Sequence, residues 1–383
     1  MTANSAGERS SLKSLENIYK LATVFFEDLS PELLLSFPEA GLDAESFFTM
    51  SDPELRAAVS LPKGTDFGLY RRQEAVARAG KELEFIERHG IKTLYLHEPE
   101  YPRRLAELPN PPKMLFVLGN PNLDSEHSVS IVGTRRCTQA GMDFTRKFVE
   151  ELGPLFPDLW VFSGLAYGID SIAHMASIEE GRSTGAVLAH GLDMIYPAAH
   201  RNLAKEIIAK GGALISEYPS SITPYRSRFL ERNRIVAGLS DSVIVVESEI
   251  RGGAMSTANT AFSYSREVFA VPGRPSDIIS SGCNYLIRKN KARILTSASD
   301  FIEDMDWRPS VIKLDARQRC LFPELAGDTK IVYDCLRFQR EPMTPDAIHQ
   351  ATTLPVAKVM ASLGELEFDG IVSRLPGNRY DIS

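Results

Sequence analysis

Residues 159–177 read LWVFSGLAYGIDSIAHMAS. An apolar run enters a glycine, a short loop closes on a second glycine, and apolar residues then recur at helical spacing. The pattern predicts a buried strand, a tight loop through Gly164 and Gly168, and a helix opening near Asp170. A strand with no polar face is buried on both sides, as in a parallel sheet covered by helices.

The same unit recurs outward from this stretch. VSIVGTRRCTQAGMDF at 129–144 is again strand, glycine turn and helix, and the apolar runs GAVLAHG, ALISEY, SVIVVES, VFAVPG and ARILTS follow between residues 185 and 297. Strands alternating with helices predict an α/β fold, a Rossmann-like doubly wound and mostly parallel sheet, over 127–306. Upstream, apolar residues at three- and four-residue spacing predict a small helical (SAM-like) domain over 1–90. A connection at 91–126, carrying the strand patterns IKTLYL and MLFVLG, is expected to pack on the next domain. Downstream, 307–328 reads as a linker, and 329–383 as three short helices and a hairpin, a winged-helix domain.

The chain has 383 residues, 43% of them hydrophobic, enough for more than one domain. Its net charge of −7 argues against a polyanion partner until it is divided. Residues 1–126 hold 14 Lys and Arg against 20 Asp and Glu, residues 127–297 hold 19 against 16, and residues 298–383 hold 10 against 14. Only the middle segment is basic, and a phosphate backbone is held by a local cluster rather than by net charge. The four cysteines are scattered, without metal-ligand spacing, so neither a disulfide framework nor a zinc site is expected. No stretch has the roughly 20 apolar residues of a membrane span, and the polar N-terminus lacks the apolar core of a signal peptide. A cytoplasmic location is the expectation.

Three glycine loops and one arginine cluster carry the chemistry. In the first turn Gly133, Thr134 and Arg135 precede a helix whose N-terminal N–H groups suit a phosphate. In the second, Ser163, Gly164, Leu165, Tyr167 and Gly168 form a loop whose amides can face an anion. Asp170 is expected chiefly as the helix N-cap, and His174 either touches a phosphate or packs in the core. The third is RGGAMS, with Gly252, Gly253 and Ser256 at another helix start. The cluster YRSRFLERNRIVAGLSD at 225–241 holds Arg226, Arg228, Arg232 and Arg234, with Asn233 among them. Arg228 and Arg232 are expected to share a helix face if the helix covers both. A parallel sheet gathers its strand-end loops on one edge, so these features together predict a polyanion site.

An enzyme would need more. There is no GxSxG elbow, HExxH, Walker loop or kinase motif set, His174 and His190 have no nucleophile beside them, and Glu247 and Glu249 are expected to pair with nearby arginines. No catalytic residue, cofactor or metal is expected. The alternative is a nucleotide-processing enzyme resembling the cytokinin-activating phosphoribohydrolases, whose PGGxGT loop RGGAMST does not match.

Taken in order, VGTR at 132–135, SGLAYGIDSIAH at 163–174, GLDMIYP at 191–197, RNRIVAGL at 232–239, the run from VVESEIRGGAMSTA to VFAVPG, and SGCNYLI at 281–287 resemble the DNA-processing protein A family, also called DprA or Smf. The tail SLGELEFDGIVSRLPGNRY resembles the winged-helix extension of many members. The resemblance implies a single-stranded DNA-binding protein, a homodimer through its Rossmann-like domain, that loads RecA recombinase onto DNA taken up in natural transformation, acting by binding rather than catalysis. It places the family's DNA pocket at Arg135 and the 163–170 loop, with Arg232 to Arg234 and the 252–256 loop matching its other motifs. This chain departs from the commonest pattern at Tyr167, where some members have Lys, and at Leu230 and Glu231 before RNR. Its N-terminal helices also lack the GxG hairpin of helix-hairpin-helix DNA binders.

Overall fold

The computed structural model describes residues 4–62, 66–309, 327–339, 342–368, 371–375 and 378–382. Every apolar run read above becomes a strand. In chain order they are β1 (Lys92–Tyr95), β2 (Met114–Gly119), β3 (Ser128–Val132), β4 (Trp160–Ser163), β5 (Ser183–Leu188), β6 (Ala213–Ser216), β7 (Ser242–Val245), β8 (Glu267–Ala270) and β9 (Arg293–Ile294). They form one sheet in the order β1-β2-β6-β5-β4-β3-β7-β8-β9. From β6 to β9 each pairing is parallel, and β2 and β1 add antiparallel at the β6 edge.

Strand order steps outward from β3 through β4, β5 and β6 on one side and through β7, β8 and β9 on the other. The reversal lies between β3 and β7, which pair with Val129 opposite Ser242 and Val132 opposite Val245. Chains leaving their C-terminal ends diverge to opposite faces and open a crevice there.

Alternation along the strands explains the two layers. Val129, Ile131, Val161 and Ile244 enter a core with Phe148, Leu152, Phe269 and Phe301, whereas Val132, Phe162, Val243 and Val245 face the core on the other side. Helices α1 (Asn4–Phe25), α2 (Pro31–Leu35), α3 (Ala44–Thr49), α4 (Asp52–Ala58), α5 (Leu69–His89) and α6 (Arg103–Ala106) precede β3. Within and after the parallel strands come α7 (Gln139–Leu152), α8 (Ile169–Glu179), α9 (Arg201–Ala209), α10 (Arg226–Gly238), α11 (Gly253–Ser263), α12 (Ser281–Arg288) and α13 (Ala298–Asp304).

The N-terminal helices share an uninterrupted core with the sheet: Leu21, Phe26, Phe47 and Phe67 belong to the same buried cluster as Leu115 and Phe116 of β2. Residues 1–310 accordingly form one unit and 311–383 a second, and the packing has no gap near residue 90. Trp307, read as the start of the linker, instead packs edge-on against His127, Phe156 and Phe301. Residues 310–326 of that linker lie outside the described residues.

The second unit is a winged helix. α14 (Gly327–Gln339), α15 (Pro345–Thr352) and α16 (Val356–Phe368) enclose Val332, Leu336, Ile348, Val359 and Leu363. The strands β10 (Val372–Leu375) and β11 (Arg379–Ile382) form its hairpin, and Met343 exchanges backbone hydrogen bonds with Tyr380 as a third short strand. The hairpin residues Pro376 and Gly377 are outside the described residues. Among those described, no helix is long and apolar enough to cross a membrane.

Candidate nucleic-acid interface

A cavity of about 900 Å³ lies at the C-terminal ends of β3 and β7. Its floor is made by two glycine turns pressed together. The Thr134 N–H donates to the Glu247 carbonyl at 2.7 Å, tying the turn after β3 to the end of β7, and the Ile169 N–H donates to the Thr134 carbonyl at 3.3 Å. Gly168 has φ of 79°, and a Cβ there would stand 2.2 Å from the Thr134 oxygen. Only glycine meets both demands at once.

That backbone corrects the expected cap. Because Gly168 turns the chain so sharply, α8 starts at Ile169 with Gly168 as its N-cap, and Asp170 falls inside the first turn. Its carboxylate instead accepts from the loop amides of Gly164 at 3.1 Å and Ala166 at 3.4 Å, so it stitches the loop from below. Burial pushes the Asp170 carboxyl above the usual range, against the pull of the Arg232 charge.

Arg232 is the buried counterpart, 5% exposed, with Nη1 donating to the Val187 carbonyl. Burial lowers its pKa and the Asp170 charge opposes that shift. It lines the bottom of the cavity rather than its mouth.

The mouth carries four arginines. Arg135 and Arg136 come from the β3 turn, Arg226 from α10 and Arg251 from the loop before α11; all four are exposed and line the cavity. Among the described residues none of them is in an ion pair, and Glu249 is the one exposed carboxylate beside them. The Arg135 guanidinium lies over the Phe229 ring, 5.7 Å from its centre. Arg226, Phe229, Leu230 and Asn233 are one face of α10, spaced three, one and three residues apart, and Tyr196 and Tyr225 add exposed rings at the rim. Gly252, Gly253 and Ser256 open α11 on the far wall, with the helix N–H groups facing the cavity end. The whole arrangement offers fixed cations, free amides and aromatic faces to an anionic, ring-bearing ligand.

Gly133, Thr134, Arg135, Gly164, Asp170, Arg232, Asn233, Gly252, Gly253 and Ser256 are thus brought together from the sequence reading. Others are not. Ser163 is fully buried and donates to the Ile131 carbonyl at 2.7 Å. Leu165, at φ of 56°, drives its side chain into a cluster with Ala186, Leu188 and Ile207. His174 is in the core: the Thr184 hydroxyl donates to Val161, so the Nδ1 that meets it at 2.6 Å must carry the proton. Arg234 turns away into an ion pair with Glu217. Tyr167 sits outside the cavity lining, exposed on the loop's outer side.

Three further side chains are committed outside the crevice, and for Glu247 this corrects the expectation. Arg228 and Arg232 share a face of α10 by their four-residue spacing, but their side chains part: Arg228 donates to the Thr223 carbonyl at 2.6 Å and lies over the Tyr218 ring, while Arg232 turns inward. Glu231 accepts from the Tyr218 hydroxyl at 2.9 Å, away from the arginines of the crevice. Glu247, expected to pair with arginines, is a buried cap for α7, accepting from the Thr138 N–H at 2.9 Å and its hydroxyl at 2.5 Å. Arg226 was read as part of the basic cluster, but Arg136, Arg251 and Phe229 were missed as site residues, though the 226, 229, 230, 233 spacing was there to be read.

Known proteins resemble this chain in both sequence and fold. A family model described as DNA recombination-mediator protein A matches residues 92–306, and one described as DprA winged helix domain matches 322–378. The chain is 35% identical over 339 residues to protein Smf of Synechocystis sp., covering 78% of this chain and 82% of that protein. The X-ray structure of DNA processing protein A from Streptococcus pneumoniae superposes with a TM-score of 0.63 at 30% identity, over 76% of this chain and 97% of the other. A structure of DNA processing protein A from Helicobacter pylori, solved for its single-stranded DNA binding mode, gives 0.51 at 32% identity, over 56% and 95%.

Proposed function

This chain belongs to the DNA recombination-mediator protein A family, and on that premise we propose that it binds single-stranded DNA in the β3–β7 crevice and loads RecA recombinase onto it during natural transformation in the cytoplasm. The observation that carries the reading is the set of four arginines, without carboxylate partners among the described residues, around an opening rimmed by Tyr196, Tyr225 and Phe229. Phosphates take the guanidinium groups and the amides of α11. Unpaired bases take the rings, which favours single strands because a duplex hides its base faces.

The chain acts as a homodimer in this reading, through α12 and the outer edge of β9. Ile278 and Ile294 are exposed there, at 75% and 52%, and among the described residues β9 has one unpaired edge. Two crevices on one strand raise affinity through effective concentration. Sedimentation of the protein at micromolar concentration is expected to give a dimer; a monomer with and without DNA overturns this part.

Titration with labelled single-stranded and duplex oligonucleotides tests the main reading. Single strands are expected to bind more tightly, with log affinity falling against log salt by about 0.7 per phosphate neutralised. Equal affinity for both forms, or release of free base from a nucleoside monophosphate, overturns it. RecA filament assembly on a coated single strand is expected to speed up when the protein is added; an unchanged rate removes the loading role alone.

A further inference from the structure

The segments 164–168 and 196–201 each border the arginine cavity. Ala166 lines the cavity on the first segment and Tyr196 on the second. Just beyond the rim the two segments meet again: the Tyr167 and His200 rings are 4.8 Å apart at 67°. An edge-to-face pair leaves at least one face of each ring uncovered by the other. Tyr167 is 49% exposed.

The pair is held from below. His200 Nδ1 is 2.8 Å from the Leu165 carbonyl, which can only accept, so that nitrogen carries the proton. Leu165 is itself anchored by its buried side chain. The rings therefore stand on a fixed support rather than on a free loop. Immediately after His200, α9 begins, and its Arg201 and Lys205 are both exposed. They are four residues apart, which puts the two cations on one face about 6 Å apart along the axis. Among the described residues neither has an acidic partner.

We propose that the nucleic-acid path continues out of the arginine cavity, across the Tyr167–His200 ring pair, and onto Arg201 and Lys205 of α9, as a second binding segment. A base stacks on Tyr167, and the phosphates that follow meet the two cations. This extension rests on the reading of the crevice as a single-strand site.

The test uses the full chain and oligothymidylates from about 4 to about 16 nucleotides. The double variant Arg201→Gln/Lys205→Gln, which keeps good helix formers on the exposed face of α9, is expected to lose about tenfold on the longest strand and far less on the shortest. Its salt slope on the longest strand should fall by about 1.4, two phosphates at about 0.7 each. Tyr167→Ala should lose about tenfold in the same length-dependent way, while Tyr167→Phe, which keeps the ring, should bind like the parent. Losses equal at every length, or none on the longest strand, overturn the extension. If the parent itself binds no single strand, the crevice reading fails and the extension with it; if the parent binds and the variants follow it at every length, the extension alone fails.

Discussion

The guanidinium of Arg232 lies against Gly164, so closely that a Cβ on the glycine would stand 2.1 Å from Nη1. The contact locks a buried cation beneath the loop whose amides Asp170 holds. Removing the cation strands the Asp170 charge and leaves the Val187 carbonyl without this donor. Arg232→Ala should therefore cost about 3 kcal/mol of stability, as for breaking a buried charge pair, measured by urea unfolding. DNA affinity should fall with it, because the loop loses its support. A variant as stable as the parent would show that the arginine works only from the surface.

His174 makes stability depend on pH. Burial holds its pKa down to about 3, well below its ordinary value. The folded chain keeps the imidazole neutral while the unfolded chain takes up a proton below about 6.5. The stabilisation is therefore complete above that value and is lost as pH falls toward 3, by about 1.4 kcal/mol per unit. His174→Asn, whose amide can still donate to Thr184, removes the titration. The stability gap between parent and variant should narrow by about 2 kcal/mol from about pH 7 to about pH 5. A constant gap in paired unfolding curves would mean that the ring titrates alike in the folded and unfolded chains.

Much of the architecture was readable because its signals are local. Val129 to Val132 and Trp160 to Phe162 have no polar face to spare, so their placement between two helical layers follows from composition alone. The glycine turns were equally visible. What escaped depends on partners far along the chain or on rotation about an axis. Glu247 caps α7 through Thr138, a residue 109 positions away, and nothing near either predicts the pairing. α10 begins at Arg226, and each residue turns about 100°. Without that start point, the outward Arg226 and the inward Arg232 look alike as members of one basic run. The shared core of the N-terminal helices and β2 is long-range packing that no helical periodicity contains.

The winged helix is expected to contribute little to DNA affinity. On α16, Lys358 is paired with Asp328 at 2.7 Å, and Glu365 and Glu367 are exposed on the same helix. A helix with that charge balance repels a phosphate backbone. A chain ending at residue 310, where the first unit ends, should bind single-stranded oligonucleotides within a few-fold of the full chain. A hundredfold loss in the same titration would make the tail a DNA reader.

Arg135 is the most exposed test of the crevice. It leaves the sheet immediately after the Gly133–Thr134 turn, its guanidinium rests over Phe229, and it faces the opening shared with Arg226 and Arg251. A guanidinium there can hold a phosphate through two parallel bonds, which an ammonium cannot reproduce. Arg135→Ala should weaken single-strand binding by about 2 kcal/mol, roughly thirtyfold, and Arg135→Lys should recover only part of it. Stability should hardly change, since an exposed turn arginine contributes little to folding. Arg136 lines the same cavity, so its alanine variant should also lose affinity and is no control. Arg228 is the better one: it sits four residues before Arg232, yet it is turned toward Thr223 and Tyr218. Binding isotherms in which Arg228→Ala falls as far as Arg135→Ala would mean that the cluster acts through its summed charge, and that the pocket is wrongly drawn.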